Sequence, residues 1–244
     1  MPGIIEPQLT LREILTHTTR TEEGLVFAYQ PERFDLLVGA LQRCSATSFR
    51  ESLSGLLDRL AMRDSVPGPD APLLRPVVPP AQGFPRTADV ERYARVMQRL
   101  AIPYAVDAQR RQSASEYLIT TLTPSAGLVS TVRDLAQFDL ALRKGLLLRP
   151  DTILEAWEPM IGRTGQPLPH GIGWFVQTYR GERIVWQFGV SRNASSSLIV
   201  SVPGRGLTLM LLANSSGLVQ PFALANGDLT LSPFGRVFLA LFLR

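Results

Sequence analysis

The sequence predicts an α+β fold, in which an antiparallel β-sheet packed with helices follows a mostly helical subdomain. Two observations support this prediction. Apolar residues recur at three- and four-residue intervals over residues 9–145, whereas residues 170–244 hold short β-rich runs and one last helical pattern. We expect the 244 residues to form a single domain, because 45% of them are hydrophobic and can fill one core.

Three helices are predicted in the first sixty residues. Thr10-Leu-Arg-Glu13 is a capping box, in which both end side chains bind early backbone N–H groups, and it predicts a short helix from Leu11 to Thr16. Apolar side chains then recur at helical spacing from Pro31 to about Cys44 and again over Phe49–Leu60. Both segments are therefore predicted to be amphipathic helices.

A proline-rich stretch over residues 64–86 separates these helices from the next ones. It contains seven prolines, and each lacks an N–H and fixes its own φ, so neither a helix nor a central strand is expected there. We predict an extended surface loop. Helical spacing resumes from Thr87 to about Leu100, and Ser130-Thr131-x-x-Asp134 carries the signal for the start of another helix.

Four short β-rich runs follow Gly171. Only a few turn residues separate them, so consecutive runs are predicted to pair as antiparallel neighbours. A last helix starts at Ser232-Pro233, and we expect its apolar face to pack on the sheet. The runs are Gly173–Tyr179, Arg183–Phe188, Ser195–Val202 and Leu207–Ala213, and the helical face consists of Phe234, Val237, Phe238, Leu241 and Phe242.

Composition and charge argue against several classes of function. The net charge of +4 is the difference between 25 basic and 21 acidic residues, and the basic residues are scattered, without the cluster that is typical of a nucleic-acid-binding surface. No apolar run approaches the roughly 18 to 20 residues that span a bilayer. One cysteine, Cys44, and two histidines, His17 and His170, do not form the ligand set of a structural metal site. We expect no nucleic acid, no membrane span, no metal and no cofactor. Residues 1–8 hold no secretory signal pattern, and the compartment stays open.

Generic nucleotide-binding and nucleophile motifs are not found in the sequence. There is no Gly-x-x-x-x-Gly-Lys for phosphate binding, and Gly171-x-Gly173 runs into aromatic residues instead of the third glycine of a dinucleotide fingerprint. Gly189-Val-Ser191 starts like a nucleophile elbow but lacks its closing glycine. We therefore do not expect Ser191 to be a nucleophile.

Four stretches in order carry a more specific signal. They are the helix and turn Leu9-Thr-Leu-Arg-Glu-Ile-Leu-Thr-His17, the segment Tyr29-Gln-Pro31, the segment Ala126-Gly-Leu-Val-Ser130, and Trp186-Gln-Phe-Gly189 in the predicted sheet. Together they resemble the serine β-lactamase and penicillin-binding protein family, in particular its branch of class C β-lactamases, D-aminopeptidases and esterases. The resemblance covers nearly the whole chain and implies a β-lactamase/transpeptidase-like fold.

The resemblance also implies a chemistry, namely hydrolysis of an ester, amide or β-lactam bond of a small-molecule substrate through a serine acyl-enzyme. The first family motif, Ser-x-x-Lys, is not found, because Ala141 stands three residues before Lys144, the single lysine of the sequence. In the family this motif precedes the stretch where these residues begin, so the chain resembles an N-terminally truncated member. We expect it to be inactive alone, and we expect a second copy or a complementing chain to cover its exposed sheet edge.

Five residues correspond to the remaining family motifs. By resemblance, Tyr29 is the general base, and the backbone N–H of Val190 belongs to the oxyanion hole. Gln187, Phe188 and Gly189 stand at the third, substrate-binding motif, where a neutral amide replaces the cation of the family.

Three functions stay open on the sequence. The first is a hydrolase whose nucleophile is encoded upstream or on another chain. The second is a non-catalytic binding module that keeps the cleft. Two departures from the family motifs favour it, namely Gln187 and the presence of Pro31 in place of the asparagine of the second motif. The third is a hydrolase with a different nucleophile, such as Ser125 or Ser130.

Several candidates also have ordinary structural explanations. Tyr29 fits a partly buried core tyrosine, and Gln187 fits a cleft-lining or strand-edge amide. His17 is expected to bond the backbone of its own turn, His170 to be a loop residue, and Trp186 to pack in the core.

Overall fold

Helices and short strands form the first part of the chain, and four longer strands form the last part. The computed structural model describes residues 9–74 and 87–243. The α-helices are α1 (Leu11–Thr16), α2 (Leu37–Cys44), α3 (Phe49–Arg59), α4 (Thr87–Met97), α5 (Val132–Arg143), α6 (Pro150–Ala156) and α7 (Pro233–Phe242). The strands are β1 (Thr18–Thr21), β2 (Gly24–Phe27), β3 (Val66–Pro67), β4 (Tyr104–Val106), β5 (Gln112–Ala114), β6 (Leu128–Val129), β7 (Phe175–Tyr179), β8 (Glu182–Ser191), β9 (Ser195–Val202) and β10 (Leu207–Ala213).

The last four strands form one antiparallel sheet, as predicted. Their order is β10-β9-β8-β7, so each strand pairs with its neighbour in the chain. The register places Phe175 opposite Trp186, and Trp186 opposite Val200 on the next strand. Strand β8 is longer than predicted and continues to Ser191, whereas its pairing with β7 stops at Trp186.

The two faces of the sheet pack against different helices. On one face, Phe175, Trp186 and Val200 belong to a buried cluster that also contains Phe238 and Leu239 of α7. On the other face, side chains of β7 and β8 pack against residues of α5 and α6, in the cluster Leu142, Ile153, Trp157, Val176 and Val185. Period-two alternation along each strand explains why neighbouring residues reach opposite helices.

Helix α7 packs on the sheet through a different face from the predicted one. Of the five predicted residues only Phe238 is buried, while Phe234, Val237, Leu241 and Phe242 are 40–59% exposed. Gly235 explains the rotation, because a Cβ built there would lie 2.7 Å from the carbonyl oxygen of Leu229. Helix α7 therefore approaches the segment around Leu229 through Gly235, and Leu239, one turn further along the helix, is buried.

The helical subdomain confirms the predicted start signals and adds elements that periodicity did not reveal. The predicted capping box begins α1, and the Thr131 side chain caps α5. A further capping box, formed by Ser48 and Glu51, begins α3 and was not predicted. The predicted helix from Pro31 to Cys44 is instead a 3₁₀ helix over Pro31–Leu36 followed by α2. The hairpin of β1 and β2 was not predicted. Among the described residues, no helix is long and apolar enough to cross a membrane.

The proline-rich stretch differs from the predicted surface loop in its first part. Val66 and Pro67 form β3, which pairs with β6, and residues 65–68 are buried. The guanidinium of Arg50 donates to the Pro67 carbonyl at 2.6 Å and forms an ion pair with Asp70 at 2.8 Å. This side chain holds the stretch against α3, a tertiary contact that outweighs the local effect of proline. The predicted loop over residues 75–86 lies outside the described residues.

Candidate active site

Tyr29 lies in the short segment between β2 and the 3₁₀ helix that starts at Pro31. Its ring packs against Phe175 and Phe188, each with a centroid distance of 5.0 Å. Its hydroxyl donates to Oε1 of Gln187 at 3.2 Å. The structure thus brings together the residues of two sequence motifs that are 158 positions apart.

The Gln187 amide is held at both ends. Its Oε1 accepts from the Tyr29 hydroxyl and, at 2.9 Å, from the backbone N–H of Phe188. Its Nε2 donates to the Gly173 carbonyl at 3.2 Å. The predicted strand-edge amide is therefore also a direct partner of the candidate base.

The backbone N–H of Val190 points to the open edge of β8. The Phe188 N–H faces that edge, because the Gln187 side chain accepts it beyond the end of the β7 pairing. N–H groups two residues apart in a strand point the same way, so the Val190 N–H faces the same edge. Gly189 between them lies close to β9, because a Cβ there would be 2.8 Å from the Ser197 Oγ.

The electrostatic surroundings keep Tyr29 protonated. Burial raises the pKa of its phenol well above the usual value, and the nearby Glu32 carboxylate raises it further. The neutral amide of Gln187 has no site that takes up a proton at neutral pH. In this arrangement Tyr29 acts as a hydrogen-bond donor, and it needs a nearby positive charge to become a base.

Two buried histidines lie behind Tyr29. His17 and His170 are both 0% exposed, and their rings meet edge to face with a centroid distance of 4.8 Å. Burial lowers the pKa of His17 to about 4, helped by the positive charge of Arg33. Burial also lowers the pKa of His170 to about 3, helped by His17. His170 lies in the loop before β7, as expected, but it is fully buried there and belongs to the core. Isolated histidines in a sequence give no signal for such a pair.

A cleft of about 1460 Å³ adjoins the end of β8 and separates the helical subdomain from the sheet. Gly189 and Val190 line it, and so do Leu128 and Leu212 from its two sides. These two leucines are 42% and 41% exposed, and Leu73, also in the lining, is 83% exposed. The cleft thus presents apolar side chains to solvent on both walls.

The alternative nucleophiles lie in the same cleft, but their side-chain partners are hydroxyl groups, and the Ser130 hydroxyl is also 3.4 Å from the Thr131 carbonyl, to which it can donate. Ser125 Oγ lies 3.0 Å from Thr123 Oγ1, and Ser130 Oγ lies 2.8 Å from Ser65 Oγ. Ser65 donates in turn to the Asp134 carboxylate at 2.7 Å. Among the described residues, no cluster of three or more histidine, cysteine or carboxylate side chains is placed to hold a metal ion.

Comparison with solved structures identifies the same architecture in longer proteins. The octameric penicillin-binding protein homologue from Pyrococcus abyssi has a TM-score of 0.62 and 18% identity, and the match covers 90% of this chain but 43% of that one. The D-amino acid amidase from Ochrobactrum anthropi SV3 has a TM-score of 0.57 and 17% identity, with 85% and 65% covered. A D-stereospecific amidohydrolase from Streptomyces sp. has a TM-score of 0.61 and 17% identity, with 99% and 76% covered.

These similarities confirm the predicted α+β, β-lactamase/transpeptidase-like fold. This chain spans less than half the length of the Pyrococcus homologue and about two thirds of the amidase. A search among curated proteins finds no significant match. The family model named Beta-lactamase matches residues 4–231. Since that match covers most of the 244 residues, the chain belongs to the beta-lactamase family.

Proposed function

We propose that this chain forms part of the active site of a serine hydrolase that cleaves an ester, amide or β-lactam bond through an acyl-enzyme. The serine and lysine of the Ser-x-x-Lys motif come from a segment outside these 244 residues, either upstream or on another chain. The observation that carries the proposal is the hydrogen bond between Tyr29 and Gln187, because it joins the second and third family motifs in one place.

In this proposal Tyr29 takes the proton of the serine hydroxyl as the serine attacks the carbonyl carbon. The raised pKa of the buried phenol opposes that role in the absence of a cation. A lysine ammonium about 4 Å from the phenol oxygen favours the phenolate by roughly 4 kcal/mol at an effective dielectric constant near 20, or about three pKa units. The lysine of the missing motif would therefore offset the effect of burial and return the pKa of Tyr29 towards its ordinary value, which makes the phenolate easier to form.

The Val190 N–H supplies one donor of the oxyanion hole. It faces the open edge of β8, where no neighbouring strand of the described sheet accepts it. The second donor is the backbone N–H of the serine itself. The two donors stabilise the negative charge that develops on the carbonyl oxygen in the transition state.

The cleft supports the proposal because its size suits a helical segment. An α-helix with its side chains is about 10 Å across, and a cleft of about 1460 Å³ is large enough to admit part of such a helix. Exposed apolar walls favour a protein segment over a polar ligand. The position next to Val190 brings such a helix to the oxyanion-hole donor.

A binding module without catalysis is the second candidate. The Gln187 amide already has hydrogen-bond partners at both ends, in a neutral site that holds together without a lysine. Pro31 in place of the motif asparagine removes an amide that could orient a lysine or a substrate. These two departures from the family pattern favour retained binding without turnover.

The test is covalent labelling with a fluorophosphonate and with a labelled penicillin, read by intact mass and peptide mapping. The completing segment is identified from the mass of the protein isolated from its own source, and it is supplied by co-expression. We expect no adduct on this chain alone and an adduct on the serine of the segment when both are present. Tyr29→Phe keeps the ring and removes the hydroxyl, so labelling of the complete protein is expected to slow about 100-fold or more.

The other outcomes separate the alternatives. An absence of labelling with the segment present, together with retained binding of the probe, supports the binding module. An adduct on this chain alone, lost in Ser125→Ala or Ser130→Ala, supports the third function and contradicts the proposal.

A further inference from the structure

We infer that His17 is a positioning residue that holds Tyr29 against the Gln187 amide. The importance of this position for catalysis rests on the proposed function of Tyr29, whereas the geometric relationship does not. Three observations support the inference, namely the backbone bonds of His17, its ring contacts and the tautomer that its partners require.

His17 binds the backbone on both sides of Tyr29. Its carbonyl accepts the Ala28 N–H at 2.9 Å, and its ring Nδ1 accepts the Gln30 N–H at 3.3 Å. The backbone N–H groups of the residues before and after Tyr29 are therefore both hydrogen-bonded to His17, one to its carbonyl and one to its ring. Tyr29 lies in a segment without regular secondary structure, so these bonds replace the ladder that would fix a strand residue.

The His17 ring lies between Tyr29 and the core. Its centroid is 4.6 Å from that of Tyr29, 4.7 Å from that of Phe34 and 4.8 Å from that of His170. His170 contacts Phe175 in turn, with a centroid distance of 4.7 Å. The phenol ring is thus supported from behind by His17 while Phe175 supports it from the sheet side, and a rotation of His17 would free one face of Tyr29.

The hydrogen-bond partners determine which ring nitrogens carry protons. Because Nδ1 of His17 accepts from an N–H, the proton of its neutral ring is on Nε2. His170 has its Nδ1 2.6 Å from the Gly171 carbonyl oxygen, so its proton is on Nδ1 and its Nε2 is an acceptor. Both Nε2 atoms are buried without a partner among the described residues. The site therefore favours a neutral His17, the form that can accept the Gln30 N–H.

The backbone conformation of His17 also contributes to the position of its ring. Its φ of 52° and ψ of 38° are left-handed, at the C-terminal cap of α1, where its own N–H bonds to Glu13 and Ile14. This conformation is uncommon for a non-glycine residue, although histidine adopts it more often than most and helices commonly end on a left-handed residue. The left-handed turn ends the helix and directs the imidazole towards Tyr29.

The test compares His17→Asn with His17→Gly. Both replacements tolerate a left-handed backbone, but only asparagine places an acceptor oxygen near the position of Nδ1. The first readout is hydrogen exchange of the Gln30 amide. The second is the NMR signal of the Tyr29 ring, assigned with Tyr29→Phe, with buried Tyr93 of another cluster as the internal control. Acylation of the complete protein is the third.

We expect His17→Gly to speed Gln30 exchange about tenfold, whereas His17→Asn, which keeps the acceptor, stays close to the parent in that exchange. Both variants lose the ring contact and are expected to shift the Tyr29 signal, while the Tyr93 signal stays unchanged. Acylation is expected to slow in the glycine variant and to recover in part in the asparagine variant. The inference is overturned if the glycine variant keeps parental exchange and ring signals, or if asparagine restores neither Gln30 exchange nor acylation. If no variant is acylated while the first two readouts follow expectation, the proposed function fails and the positioning role stands.

Discussion

The sheet region (residues 170–243) and the helical subdomain (residues 9–145) differ in how they bury apolar surface. The sheet packs a large cluster around Phe175, Trp186 and Leu198, each at most 1% exposed, against α7. The helical subdomain has a small cluster around Val66 and Tyr93, and its inner side carries Leu73 and Leu128, two of the exposed leucines of the cleft. The sheet region is therefore stabilised by its own contacts, whereas the inner surface of the helical subdomain depends on what fills the cleft.

The largest expected effect tests the sheet side of this comparison. Leu198→Ala removes a side chain that is 1% exposed, and it is expected to lower the free energy of unfolding by about 2–5 kcal/mol through lost burial and the resulting cavity. The matched control is Leu212→Ala on the neighbouring strand β10, where the side chain is 41% exposed at the cleft. We expect a change below about 1 kcal/mol there. Urea unfolding followed by circular dichroism measures both, and equal losses would contradict the comparison.

Acid is expected to weaken the boundary between the two regions. His17 belongs to the helical subdomain and His170 to the sheet region, and the pKa values of both are lowered in the folded chain, to about 4 and about 3. The unfolded chain then binds more protons below about pH 6.5, so stability falls as the pH decreases from there towards 4. Between pH 7 and pH 5 we expect a loss of roughly 1–2 kcal/mol for each histidine.

Urea unfolding at pH 7, 6 and 5 measures this loss in a window where most carboxylates stay ionised. His17→Asn is the control, because it removes one titrating group and should reduce the pH dependence by about half. A stability that stays constant over this window would show that the histidines are not buried in neutral form.

The smallest effect concerns the helical subdomain. Ser48→Ala removes the cap of α3, where the Ser48 hydroxyl accepts the Glu51 N–H at 3.2 Å and the Glu51 carboxylate accepts the Ser48 N–H at 2.8 Å. We expect a loss of about 1 kcal/mol. Ser52→Ala, on the exposed side of the same helix, is the control, because it removes only an exposed hydroxyl contact with Thr47 at 2.9 Å and should cost clearly less than the cap. If Ser48→Ala lowers the free energy of unfolding by the full expected amount, the helical subdomain unfolds together with the sheet. A much smaller loss would show that the helical subdomain unfolds separately.

Much of the fold could be predicted because its signals are local. A capping box determines where α1 begins, and β-rich runs with short turns between them identify the four strands of the sheet. The predictions were wrong where a tertiary contact determines the local structure. Arg50 buries the proline-rich β3, and the approach of Gly235 to Leu229 rotates α7 away from its most apolar face. Neither contact has a counterpart in the spacing of apolar residues.

The sequence predicted the residues of the candidate site, but it did not predict the side chains that pack behind them. Tyr29 and Gln187 stood out through the resemblance to a family, and the structure adds that their side chains meet. The histidine pair could not be foreseen, because His17 and His170 are 153 positions apart and each alone fits an ordinary turn or loop. Only the fold shows that their rings are in contact.

The consecutive order of the strands has a consequence for how the chain folds. Since each strand pairs with the next one in the sequence, the sheet forms through short-range contacts, which assemble quickly. The contact between Tyr29 and Gln187 has to close a loop of 158 residues. During synthesis Tyr29 leaves the ribosome long before Gln187, so the contact between them cannot form until the sheet has been synthesised. We expect assembly of the site to be among the last steps of folding.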